Sequence, residues 1–234
     1  MRPLFNFDFF GKLCYNICIE KEKREIIMKP TIKELEIAKR IIDDLIEHDF
    51  FDAIVCEDCE NFEYWCHDHR HYIEKAHLEL HSGETKGCII SDELPNWVIK
   101  VGFITENTED YCAIEADNFI DVIKKGLEEF FAAIYEVCDI PLPESFSFKR
   151  HITFFIQEKA EPDEEKTSST CSEYTGTDDN SDYDRLESLF EGYKNDDFER
   201  LIEFIDDWNI NDLHSGNFGY TKDGKVKIID YSGY

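Results

Sequence analysis

Three oxygen-bearing side chains late in the sequence stand at spacings that suit chemistry. In NDLHSGNFGYTKDGKVKIID, Asp212 and Asn217 are five positions apart, and Asp230 closes a short apolar stretch after a KDGK turn. ATP-dependent phosphoryl transfer needs such a set: one carboxylate to accept or orient the acceptor hydroxyl, an amide oxygen for a metal, and a second carboxylate for the metal that bridges the phosphates. A second group lies in CEDCENFEYWCHDHRH. Cys56 and Cys59 have the C-x-x-C spacing of a zinc knuckle, and Cys66 with His67, His69 or His71 would complete a tetrahedral set. If 65–71 were a strand, His67, His69 and His71 would share one face and Cys66 the other, so the second half has no standard spacing.

Further upstream, WVIKVGF places Lys100 on an apolar strand, and Glu115 in CAIEADNF follows 15 residues later on an expected helix. The D-x-x-x-x-N spacing with a downstream Asp at a strand end is the order of kinase catalytic loops. DLHSGN resembles the D-L-H-x-x-N loop of aminoglycoside phosphotransferases and other atypical members of the protein-kinase-like superfamily, and IIDYSG stands where those families place a metal-binding Asp. The resemblance covers about 80–234. It implies that Asp212 is the catalytic base and that Asn217 and Asp230 are magnesium ligands, with His214 at the branch's histidine position. WVIKVGF resembles the V-A-I-K strand, which makes Lys100 the contact to the ATP phosphates and Glu115 its partner. SGETKG is an incomplete Gly-rich loop, with Gly83 and Gly87 flanking Lys86 as a further phosphate contact. Gln157, Glu158 and Lys159 would then lie near the adenine. Full members of those families continue into a helical half-lobe that holds the acceptor. Only four residues follow Asp230, so the resemblance implies a truncated acceptor platform.

The elements that must position these residues can be read from periodicity. Thr31 with Glu34 is a capping-box signature, and Ile32, Leu35, Ala38, Ile41, Ile42 and Leu45 recur at helical spacing, which predicts a helix over about 31–48. SGETKGCIIS and WVIKVGF read as a hairpin across ELPN, and RHITFFIQEKA as a further strand. AIEADNFIDVIKKGLEEFFAAIYEV carries helical periodicity with a pause at Gly126. RLESLFEGYKNDDFERLIEFIDDW reads as one helix, and KDGK as a closing hairpin turn. The expected fold class is α+β: a kinase-like N-lobe antiparallel sheet with a helix, plus a truncated helical C-lobe. The segments are a helical, Cys/His-rich extension (1–80), the N-lobe (81–160), an acidic flexible loop (161–184) and the C-lobe with the catalytic loop (185–234).

Composition bounds the partners. Of 234 residues, 53 are Asp or Glu and 25 Lys or Arg, a net charge of −28, while 42% hydrophobic and 14% aromatic content supports a core. Between Glu158 and Asp207 stand 18 acidic and 5 basic residues, a net −13. Such a surface repels phosphate backbones and anionic lipid, which argues against direct nucleic-acid or membrane contact and for a basic protein partner. Nine cysteines without a framework spacing, and no signal-like start, suggest a reducing cytoplasm. Two functions follow: a minimal ATP- and magnesium-dependent phosphotransferase or nucleotide-binding protein, or a non-catalytic acidic interaction protein. The latter would be a nucleic-acid mimic or an inhibitor of a nuclease or host-defence protein on the same scaffold.

Overall fold

The computed structural model describes residues 29–54, 60–83, 85–103, 109–141, 151–162, 180–193, 195–210 and 213–232. Cys56, Cys59 and Asp212 lie outside the described residues, as does 163–179 of the acidic loop.

The helix expected at 31–48 is α1 (Ile32–Glu47). The Thr31 hydroxyl accepts from the Glu34 N–H at 3.2 Å while the Thr31 N–H donates to Glu34 Oε2 at 2.7 Å. Two of the helix's orphan donors are thereby satisfied reciprocally. Its stripe of Ala38, Ile41, Ile42 and Leu45 is buried. Short helices α2 (Phe51–Ile54), α3 (Glu60–Asp68) and α4 (Arg70–Lys75) follow. The 65–71 stretch is therefore helical, not a strand. Phe62, Trp65 and His69 recur at helical spacing, with Phe62 and Trp65 buried and the His69 ring stacked on Trp65.

Five antiparallel strands make the central sheet in the order β1-β2-β3-β5-β4. They are β1 (Leu78–Ser82), β2 (Lys86–Ser91), β3 (Trp97–Gly102), β4 (Ile134–Pro141) and β5 (His151–Glu158). The hairpin across ELPN and the 151–158 strand match expectation. β1 is an added edge strand, and SGETKG becomes the β1–β2 turn, where the Gly83 N–H donates to the Lys86 carbonyl at 2.8 Å.

Helix α5 (Tyr111–Lys125) crosses between β3 and β4, and Asp110 caps it by accepting from the Ala113 N–H at 3.1 Å. The helical pattern expected through Val137 stops at Gly126, which takes φ 69°, a conformation glycine adopts without Cβ strain. Ile134–Pro141 is instead β4, whose alternation is masked by a register shift between Tyr135 and Cys138. The single helix expected over 185–208 is two: α6 (Asn180–Leu189), which begins inside the region expected to be loop, and α7 (Asn195–Asp207). The break falls at Tyr193, whose ring stacks on Phe130 and whose hydroxyl donates to the Val226 carbonyl at 3.1 Å. Strands β6 (Phe218–Tyr220) and β7 (Val226–Ile228) form the hairpin across KDGK.

Both sheet faces are covered. Ile89, Ile99, Val101, Ile152, Phe154 and Ile156 form one core with α1 to α3. Phe155, with Phe119 and Val122 of α5, forms the other with α6, α7 and the β6–β7 hairpin. A strand buried on both faces reads as a continuous apolar run, as ITFFI in β5 does. The architecture is thus a mixed α+β fold, with the N-terminal helices sharing a core with the sheet. Among the described residues no helix is long and apolar enough to cross a membrane.

Candidate functional site

Alternation along the strands selects the site residues. Ile99 and Val101 of β3 enter the core with α1 to α3, so Lys100 between them points to the α5 face. Cys88 pairs with Lys100 across β2–β3, and Lys86 two residues earlier shares that face. Phe155 pairs with Lys100 across β3–β5, and Gln157 lies two residues further on the same face. Lys86, Lys100 and Gln157 thus converge beneath α5, where period 3.6 turns Glu115, Asn118, Phe119 and Val122 inward.

The C-terminal segment is threaded into this space by backbone pairing. The Ile228 N–H donates to the Phe130 carbonyl at 2.8 Å, and the Ala132 N–H donates to the Ile228 carbonyl at 2.9 Å. Beyond β7, Asn118 Nδ2 donates to the Tyr231 carbonyl at 2.8 Å, and the buried Tyr231 hydroxyl donates to the Ala132 carbonyl at 2.8 Å. Asp230, held between these anchors, reaches the sheet.

Glu115 is the hub, with no solvent exposure. Its Oε1 accepts from Lys100 Nζ at 3.2 Å and from Gln157 Nε2 at 3.0 Å. Its Oε2 accepts from Lys86 Nζ at 2.6 Å. Lys86 Nζ also donates to Asp230 Oδ1 at 2.5 Å and to the Ser232 hydroxyl at 2.9 Å. Lys100 Nζ donates to the Ile229 carbonyl as well. Two ammonium groups and two carboxylates balance, which is the condition for keeping charge in a site this dry.

The electrostatics follow from the packing. Burial pushes the Asp230 carboxyl up, but the Lys86 and Lys100 ammonium groups outweigh it and hold the group at about 2. Burial alone would lower the Lys86 ammonium, yet Glu115 and Asp230 hold it above the usual lysine range.

The Lys100–Glu115 pair expected from sequence is therefore in contact. Asn217, 7% exposed, ends a 3-10 turn (Ser215–Asn217), and its carbonyl accepts from the Ile229 N–H at 2.8 Å, which pairs it with the residue that precedes Asp230. The His214 Nδ1 accepts from the Gly216 N–H at 3.0 Å and braces that turn. At Gly219 a Cβ would stand 2.7 Å from the Ala160 backbone, so only glycine lets β6 lie against the chain leaving β5. Amide and carboxylate oxygens of this kind suit a hard cation such as magnesium.

Other expected contacts stand differently. Gln157 is engaged with Glu115, and the N–H groups of Glu158 and Lys159 donate to the Ala133 and Asn96 carbonyls at 2.8 and 2.9 Å. Gly83 and Gly87 sit at the β1–β2 turn and in β2, while Lys86 is turned inward. Sequence reasoning did not find Ser232 or the inward role of Lys86; the signal available was the parity of Lys86 with Cys88 and Lys100 across the β2–β3 pair.

The Cys/His group is separate. Cys66 is half-buried, and burial with the nearby Glu63 carboxylate pushes its thiol up to about 11. His69 Nδ1 lies 3.0 Å from the Trp65 carbonyl, with its ring 4.3 Å from the Trp65 ring. Among the described residues no three His, Cys, Asp or Glu side chains are placed to hold a metal. Neither a family model nor a curated protein matches the chain.

Proposed function

We propose that the α5 face of the sheet is a kinase-like nucleotide site and that the protein is a minimal ATP- and magnesium-dependent phosphotransferase or nucleotide-binding protein. The observation that carries this reading is the buried Lys100–Glu115 ion pair at 3.2 Å on the face that also receives Asp230. In this reading Glu115 fixes the Lys100 ammonium so that it meets phosphate oxygens without reorganising, which is how a preformed charge favours a bound anion. Asn217 and Asp230 would hold magnesium, whose contribution is to neutralise charge on the phosphates. Asp212, five residues before Asn217, would orient the acceptor hydroxyl.

A thermal shift with ATP and magnesium tests the proposal. Ligand at 100 times its dissociation constant adds about 2.7 kcal/mol, which for a chain of this size is a rise in Tm of roughly 5–10 °C. An unchanged Tm at millimolar ATP and magnesium overturns it.

A second reading has its own observation. Asp184, Glu187, Glu191, Glu199, Glu203, Asp206 and Asp207 are all exposed on or beside α6 and α7, within the region of net −13. A field of that sign would steer a basic protein partner, with an association rate that falls steeply as salt rises. Capture of a basic protein that is insensitive to salt between 0.05 and 0.5 M, where the Debye length contracts about threefold, from roughly 14 to roughly 4 Å, would count against it.

A further inference from the structure

We propose that Lys86 is the resident cation of the site: its ammonium occupies the position on Asp230 that a divalent metal needs, and a metal binds only by displacing it. The inference rests on the nucleotide-site reading for the identity of the competing ion, but its geometry is independent of any nucleotide.

An ammonium has three N–H donors and no acceptor. Those of Lys86 meet three oxygens, Glu115 Oε2 at 2.6 Å, Asp230 Oδ1 at 2.5 Å and Ser232 Oγ at 2.9 Å. The side chain is 5% exposed, so water has little access to these bonds. Lys86 is thereby saturated, and the Asp230 oxygen closest to the sheet is covered by a positive charge. A divalent ion on the same oxygen would sit within a few ångströms of that ammonium in a poorly screened setting, where the repulsion between like charges favours one occupant over both.

The neighbours are arranged for Lys86 to leave. Glu115 has a separate pair of donors on its other oxygen, Lys100 at 3.2 Å and Gln157 at 3.0 Å, so it stays matched when Lys86 moves. Asp230 is the more open partner, its side chain 34% exposed against none for Glu115. Lys86 is also the first residue of β2, at the end of the sheet beside the turn at Gly83. Once displaced, its charge becomes available to an anion arriving with the metal. Metal and ammonium are thus alternatives on one carboxylate, and the described arrangement is the ammonium-bound one.

The test is Mn2+ binding to the full chain without nucleotide, with free Mn2+ read by its paramagnetic resonance. Lys86→Met should bind one Mn2+ at least tenfold tighter than the parent, and Lys86→Arg, which keeps the charge, should remain as weak as the parent. The gain should vanish in Lys86→Met with Asp230→Asn, which separates this ion from those on the acidic surface. A folded Lys86→Met that binds Mn2+ no tighter than the parent overturns the proposal. Should Lys86→Met not fold, acetic-anhydride labelling of the parent decides. Lys86 acetylation should rise several-fold on adding Mn2+, and labelling unchanged by Mn2+ overturns the proposal equally. A gain in Mn2+ affinity in Lys86→Met alongside a parent that binds no ATP would retain this inference and remove the nucleotide reading.

Discussion

The two faces of the central sheet are built by the same five strands and held by opposite means. Neighbours in β5 show it: Ile152, Phe154 and Ile156 enter the core with α1 to α3, while Thr153, Phe155 and Gln157 face α5. The first face satisfies its few polar groups singly, the Trp97 indole N–H donating to Glu34 Oε1 at 3.0 Å and the buried Ser91 hydroxyl accepting from the Glu93 N–H at 3.2 Å, and is stabilised mainly in proportion to the apolar area removed from water. The second carries Lys86, Lys100, Gln157 and Glu115, all buried, and persists only because every charge has a partner. A buried ion network is weak evidence for stability, since well-packed apolar residues serve as well or better. Its presence on one face only is what marks that face as the candidate site.

The difference predicts unequal costs. Glu115→Ala strands two buried ammonium groups, and a urea titration should show about 3–5 kcal/mol lost; a loss below about 1 kcal/mol would mean the carboxylate is not the hub. Acid should act on the polar face next. The unfolded Asp230 carboxyl titrates near 4, and the folded one about 2, so its contribution is complete above about pH 4 and lost as pH falls through about 2. After allowance for its partly exposed side chain, this amounts to about 1–2 kcal/mol. Asp230→Asn should flatten that part of the stability profile, and an unchanged profile would break the assignment. On the apolar face, Ile156→Val should cost about 0.5–1.5 kcal/mol and leave ATP affinity unaltered, a pairing that sharpens the contrast if both halves hold. Smallest is Thr31→Ala, about 0.5–1 kcal/mol from the lost cap on α1, seen as a slight fall in Tm.

Sequence and structure agree on the Lys100–Glu115 contact and differ around it. The Lys100–Glu115 pair was legible because β3 and α5 have clean periods, 2 and 3.6, that fix which side chains turn inward. The first half of β4 carries helical spacing in sequence because the shift between Tyr135 and Cys138 removes the alternation that marks a strand. β1 was hidden because an edge strand with Glu79, His81 and Ser82 exposed carries little apolar signal. The break between α6 and α7 depends on Tyr193 meeting Phe130, 63 residues away in sequence, a contact no local pattern encodes. The inward role of Lys86 has the same origin: its partners Asp230 and Ser232 arrive from 144 and 146 residues downstream.

In the proposed nucleotide site Lys100, held by Glu115, meets the phosphates of a bound nucleotide. Calorimetric titration of ATP with magnesium into the parent and into Lys100→Met tests it most directly, because Glu115 keeps Lys86 and Gln157 as partners when Lys100 is neutralised. The parent should bind measurably, and a Lys100→Met variant that remains folded should lose tenfold or more in affinity, about 1.4 kcal/mol. Equal affinity in the two proteins, or no binding by the parent, would contradict it.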